Sequence, residues 1–256
     1  MATADLQTPH QPFRVLVFSK STGYRHDCIP TAVSAVRALG VRTGSFDVDA
    51  TEDAEAAITA DSLSRYKTIV FLHNTGIDFL NKDQMSALKA YIRGGGGFVG
   101  VHAASSGMKS DEWYGKLVGA YFDFHPAPEE GTVVVEDAKH YITAAGETDA
   151  CACTERTWMD EWYNFTSHPR RNGNLHILAR GDPSTFAGGV MGDDHPLAWC
   201  QEFEGGRSFY TALGHFDEAY ADEWFMGQIL RAIYWTARVN KGSFSGHDSV
   251  VGSESK

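Results

Sequence analysis

The sequence predicts a single α/β domain built on a doubly wound, mostly parallel β-sheet, and three observations carry that expectation. The runs Arg14-Val15-Leu16-Val17-Phe18-Ser19, Thr68-Ile69-Val70-Phe71-Leu72 and Phe98-Val99-Gly100-Val101 are continuously apolar at their centres, as parallel strands buried on both faces are. After the first, Ile29, Val33, Val36 and Leu39 recur at helical spacing, and after the second Met85, Leu88, Tyr91 and Ile92 do the same, which alternates strand with amphipathic helix. Between Phe13 and Arg238 no composition shift or linker divides the chain, and 256 residues are within the range of one α/β domain.

Taken in order, residues 1–12 are a polar lead-in, expected to be disordered, before the first strand. A loop over residues 19–27 precedes the first helix, which Gly40 is expected to end, and Phe46-Asp47-Val48 fits a short strand. The acidic stretch 52–60 covers the surface, and the strand at 68–72 stops at His73-Asn74-Thr75-Gly76. Gly94 to Gly97 turn the second helix directly into the central strand, which stops at His102 before Ala103-Ala104-Ser105-Ser106. A helix is expected over 111–119, and a strand at Thr132-Val133-Val134-Val135-Glu136 after the break at Pro126-Ala127-Pro128. Residues 137–175 are irregular in pattern, with a dense aromatic segment from Trp158 to Phe165. Strands at 176–180, 197–201 and 207–213, joined by short turns, read as antiparallel additions at the sheet edge. A last helix spans 221–238, the folded domain is placed at 13–239, and the Gly/Ser-rich tail 240–256 is expected to be disordered.

Composition removes several classes of function. A net charge of -11, without a Lys/Arg cluster, argues against nucleic acid as a partner. The four cysteines, Cys28, Cys151, Cys153 and Cys200, form neither a disulfide framework nor a zinc pattern. The polar amino terminus lacks a signal-peptide apolar core, and no apolar run reaches the roughly 18 residues that a membrane helix needs. A cytoplasmic protein with reduced thiols and no membrane partner is expected. The glycines at 94–97 precede their strand, whereas a phosphate-binding glycine loop follows one and opens a helix, so no nucleotide cofactor is expected. Ser105 and Ser106 lack the Gly-x-Ser-x-Gly surroundings of a nucleophile elbow.

The histidines carry the functional signal. His26 lies in the loop after the first strand, His73 and His102 end two further strands, and His215 follows the strand that ends at Leu213-Gly214. Loops after parallel strands share one end of a sheet, where open α/β folds bind ligands, so these imidazoles are expected in one crevice. His125, in Asp123-Phe124-His125-Pro126, sits where a loop could fold over it. Imidazole is the commonest metal ligand and an acid/base at neutral pH. His26, His102 and His215 are therefore expected to bind a divalent metal, zinc first and manganese or nickel next, or to share acid/base work. The alternative is that each histidine caps its own loop. His10, His140, His168 and His247 are expected at the surface, and His195 as an anchor for an edge strand.

Asp160 and Glu161 stand among Trp158, Trp162, Tyr163 and Phe165. Carboxylates beside aromatic faces suit a sugar site, where rings stack on C–H faces and carboxylates bind hydroxyls or move protons. The expected catalytic set is His102, His26, Glu161 and His125, with His73, Trp162, Tyr163 and Asp160 binding substrate. The alternative for the aromatic segment is a small core with solvated acids.

At these residues the sequence resembles the ThuA-like family, named for trehalose utilisation, whose fold is flavodoxin-like and similar to class I glutamine amidotransferases. The matching segments are Gly23-Tyr24-Arg25-His26, Gly95-Gly96-Gly97-Phe98-Val99-Gly100-Val101-His102-Ala103-Ala104, Trp113-Tyr114 with Leu117-Val118-Gly119-Ala120, Phe124-His125-Pro126, Asp160-Glu161-Trp162-Tyr163, His195-Pro196-Leu197-Ala198-Trp199, and Gly206-Arg207 through Tyr210-Thr211-Ala212-Leu213-Gly214-His215. The amidotransferases carry a nucleophilic cysteine after the central strand; His102 stands there in this chain, so glutaminase activity is not expected. His215 takes the place that resembles the amidotransferase catalytic histidine. The resemblance implies an enzyme of sugar metabolism, a hydrolase or lyase acting on a glycoside or 3-keto-glycoside. A sugar or oligosaccharide is the expected partner, with a homo-oligomer left open. A sugar-binding or interaction protein without catalysis is the alternative.

Overall fold

The computed structural model describes residues 11–144 and 154–239; His10, His247, the Cys151/Cys153 pair and the tail from 240 lie outside them. The chain opens with β1 (Phe13–Phe18), α1 (Ile29–Thr43), β2 (Phe46–Thr51), the single-turn helices α2 (Ala54–Ala57) and α3 (Ala60–Leu63), β3 (Thr68–Leu72), α4 (Lys82–Arg93) and β4 (Gly97–Val101). After a 3-10 turn at His102–Ser106 come α5 (Glu112–Val118), β5 (Phe122–Phe124), β6 (Glu129–Val135), β7 (Glu155–Asp160), β8 (Asn164–Phe165), β9 (His176–Gly181), β10 (His195–Phe203), β11 (Gly206–Thr211) and α6 (Glu223–Thr236).

Nine strands form one sheet in the order β2-β1-β3-β4-β11-β10-β9-β6-β7, and β5 pairs with β8. From β2 to β11 neighbouring strands run parallel; from β11 to β7 each neighbour is antiparallel. β3 and β4 are buried along their whole length, as their unbroken apolar sequences require. The helix ends follow local chemistry. Asn81 and Gln84 close a capping box on α4, and the side chains of Asp111 and Asp222 cap α5 and α6.

Three expectations are corrected. Gly40 does not end α1, which continues to a left-handed cap at Gly44. Gly40 instead lets the β2 backbone approach, since a Cβ there would stand 2.4 Å from the Phe46 carbonyl oxygen. The segment from Arg207 is not an antiparallel edge strand: β11 lies fifth in the sheet and runs parallel to β4. The irregular stretch contains β7, which pairs with β6 from Glu129↔Asp160 to Val134↔Glu155. The glycine run has a packing explanation. A Cβ at Gly96 would lie 2.4 Å from the Tyr91 ring, and one at Gly97 would lie 2.6 Å from the Thr236 carbonyl oxygen.

Candidate functional site

Strand polarity assembles the site. β1, β3, β4 and β11 point the same way, so His26, His73, His102 and His215 emerge at one end of the sheet. By alternation β7 also points that way, and Glu161 follows it. In a flat sheet four strand spacings, about 19 Å, would separate β7 from β11. The antiparallel half curls back instead. Asp160, the last residue of β7, accepts the backbone N–H groups of Gly214 at 2.8 Å and His215 at 3.2 Å. Register shifts in the β9–β10 pairing supply local bending.

His102 is fully buried and holds a positive φ of 51°, a conformation that non-glycine residues adopt rarely and often at functional sites. Its Nδ1 lies 2.6 Å from the Ala212 carbonyl oxygen. A carbonyl only accepts, so Nδ1 carries the hydrogen and Nε2 faces the site. Around Nε2 stand Glu161 Oε2 at 3.2 Å, His215 Nδ1 at 3.3 Å and the Tyr163 hydroxyl at 2.8 Å. His215 Nδ1 is 3.1 Å from the same Glu161 oxygen. On the other side of that carboxylate, His125 Nε2 is 3.3 Å from Oε1, while His125 Nδ1 donates to the Pro126 carbonyl. The loop bearing His125 thus closes over the centre as expected, with a third of its side chain still in solvent.

His26 completes the group. One ligand atom from each of His26, His102, Glu161 and His215 lies within 4.8 Å of every other, and His26 Nδ1 is buried with no hydrogen-bond partner. Burial, reinforced by the neighbouring His102 and His215, pushes the His26 pKa from 6.5 down to about 3, which leaves a neutral imidazole with a free lone pair. Burial opposes ionisation of Glu161, but its contacts with the His102 and His215 imidazoles outweigh it and hold the carboxyl well below its usual range. For His215 the order is the same: burial resists the charge, and bonding to Glu161 overcomes it and raises the pKa.

These residues fit a metal. Three potential donors, His102 Nε2, His215 Nδ1 and Glu161 Oε2, converge at mutual distances of 3.1 to 3.3 Å. Tetrahedral zinc with bonds near 2.0–2.1 Å places its ligands roughly 3.4 Å apart. The bond from His102 Nδ1 to a backbone carbonyl is the support that fixes the tautomer of a ligating histidine.

Three residues expected to bind substrate are instead supports. His73, also at positive φ (56°), is fully buried behind the centre, with Nε2 2.6 Å from the Tyr220 hydroxyl and 3.4 Å from Cys28 Sγ. Trp162 is sealed against Phe186, the rings nearly parallel at 4.2 Å, and donates to the Glu129 carbonyl. Asp160 is buried and accepts four N–H groups, those of the Trp158 indole, Glu161, Gly214 and His215. Tyr163 does meet the site, through His102. The sequence had no signal for Tyr220, Cys28 or the Ala212 carbonyl, because each meets its partner across the fold, Cys28 and Tyr220 at His73 and Ala212 at His102. Of the expected surface histidines, His140 and His168 are half-buried; His140 packs against His176 and Trp235.

His195 is an anchor, though β10 is an interior strand: it is buried, and its Nε2 lies 2.9 Å from the Tyr163 carbonyl. Burial pushes its pKa from 6.5 down to about 4 despite that bond. The unfolded chain therefore takes up a proton first as pH falls. Stability from this group is full above about pH 6.5 and drains away towards pH 4, by up to ~3 kcal/mol. Urea unfolding from pH 7.5 to 4.5 should show a shallower decline for His195→Gln than for wild type; equal declines would refute the assignment.

The fold and site together define a flavodoxin-like α/β domain with a histidine–carboxylate centre at the carboxyl ends of its parallel strands. The chain belongs to the ThuA family, described as trehalose utilisation, which it matches over residues 14–236. No functionally curated protein matches it. Among solved structures, it is similar to a ThuA-like protein of Bacteroides uniformis at 23% identity and a TM-score of 0.74, with 91% of this chain and 94% of that one covered. A ThuA-like protein of Parabacteroides merdae is 17% identical at a TM-score of 0.70, with 93% of each chain covered. A β-galactosidase of Bacillus circulans shares the fold over 90% of this chain and 32% of its own, at 11% identity and a TM-score of 0.55. Among the described residues no helix is long and apolar enough to cross a membrane.

Proposed function

We propose that the protein is a cytoplasmic carbohydrate-active enzyme that cleaves a glycoside or 3-keto-glycoside with the help of a divalent metal held by His26, His102, Glu161 and His215. One observation carries this reading: four buried or half-buried donors, three imidazoles and a carboxylate, brought within 4.8 Å of one another from four separate segments. Membership of a trehalose-utilisation family supports a sugar as substrate. A metal here would polarise a substrate carbonyl or a water molecule.

The chain's own groups supply the rest. His125, at the solvent side of Glu161, is placed to exchange a proton with a leaving oxygen or with the carbon beside a ketone. Tyr163, whose ring packs on that of His102 with centroids 4.3 Å apart, and the Ala212 carbonyl hold the His102 ring in register, and Asp160 holds Glu161 and His215.

Metal content by mass spectrometry on tag-free protein tests the reading. Wild type should carry close to one equivalent of zinc, manganese or nickel, and His102→Ala and His215→Ala should each lose it. Wild-type protein without metal even after soaking would overturn the ligand assignment.

A further inference from the structure

The aromatic platform expected of a sugar site is absent where the sequence pointed, because Trp162 is sealed behind Phe186. Another aromatic stands in solvent beside the centre. Tyr24 is 65% exposed, and its ring lies perpendicular to that of His26 with centroids 4.9 Å apart. Solvent exposure usually goes with mobility, yet the backbone on either side of this ring is fixed. The Thr75 hydroxyl donates to the Tyr24 carbonyl at 2.6 Å, Thr22 N–H donates to the Thr75 carbonyl at 2.9 Å, and Ser21 bridges to Thr75. On the following residue, Arg25 makes two bonds of 2.7 Å to Glu52. An apolar ring held in water beside the centre, from a loop pinned at both ends, has no role in the core.

We propose, on the basis of the carbohydrate reading above, that Tyr24 is the stacking platform on which the substrate site holds a pyranoside. A pyranose presents an apolar C–H face that an aromatic ring covers, while its hydroxyls point sideways to polar groups. Laid on Tyr24, the sugar has its edge against His26 and the histidine–carboxylate centre.

The test is calorimetric titration of the full-length zinc-loaded protein with trehalose, methyl α-D-glucopyranoside and glucuronate, using wild type, Tyr24→Ala and Tyr24→Phe, with zinc content measured in parallel. The expected result is binding of a sugar by wild type, about tenfold weaker binding by Tyr24→Ala, near-wild-type binding by Tyr24→Phe, and equal zinc in all three. Unchanged affinity in Tyr24→Ala would overturn the platform and leave the carbohydrate reading standing. Failure of wild type to bind any of the three would count against the carbohydrate reading and the platform together.

Discussion

Asp160→Ala should destabilise the protein by about 3–5 kcal/mol, a loss of the size caused by stripping a buried charged acceptor from its donors. The carboxylate is fully buried and serves four N–H groups at 2.8 to 3.2 Å. Removing it leaves an indole and three backbone donors without partners, each a cost of its own. For a domain of this size the melting temperature should fall by roughly 10 °C or more. Asp160→Asn keeps the shape but turns an amide group towards donors, so it should recover only part of the loss. Metal affinity should drop in both variants, because the bonds to Gly214 and His215 hold the curled half of the sheet against β11. A melting temperature within 2 °C of wild type in Asp160→Ala would refute this account.

Glu161→Gln should have the largest effect on the centre with little effect on the fold. The carboxylate lies 3.1 to 3.3 Å from His102, His125 and His215, and the two it bonds most closely hold it ionised against its burial. The amide keeps the size but loses the charge and places donors where acceptors are needed. Zinc affinity, measured by competition with a chromophoric chelator, should fall at least about 100-fold, or roughly 2.7 kcal/mol, with an unchanged circular dichroism spectrum. A fall of less than fivefold would mean that Glu161 is not a ligand.

The histidine cluster was legible because it needs only a short chain of inference. Apolar runs give parallel strands, parallel strands share an end, and residues just past each strand meet there. The rule placed His26 and His102 together and His125 over them, while the strand before His215 reads as antiparallel in the sequence and it is the likeness to the amidotransferase catalytic histidine that sets His215 beside His102. The rule also placed His73 at the correct end of the sheet but could not tell that Tyr220 and Cys28 would enclose it. The aromatic segment misled for a related reason. Pattern shows that Trp162, Tyr163 and Asp160 are near the site, but their orientation depends on neighbours far away in sequence. Phe186 and the Glu129 carbonyl take Trp162 out of solvent, whereas Tyr163 turns towards His102.

By itself, the sequence determined the family, the parallel strands from β1 to β4 and the histidines just past them, all set by local patterning and strand polarity. The tertiary structure alone decided that β11 runs parallel beside β4 and that the antiparallel half curls until Asp160 reaches Gly214 and His215. It also decided that Asp160 turns inward to four N–H groups while Glu161, chosen from the sequence, faces the imidazoles, and that Tyr24 is the exposed ring beside His26. These depend on long-range pairing and packing, which the spacing of residues along the chain does not encode.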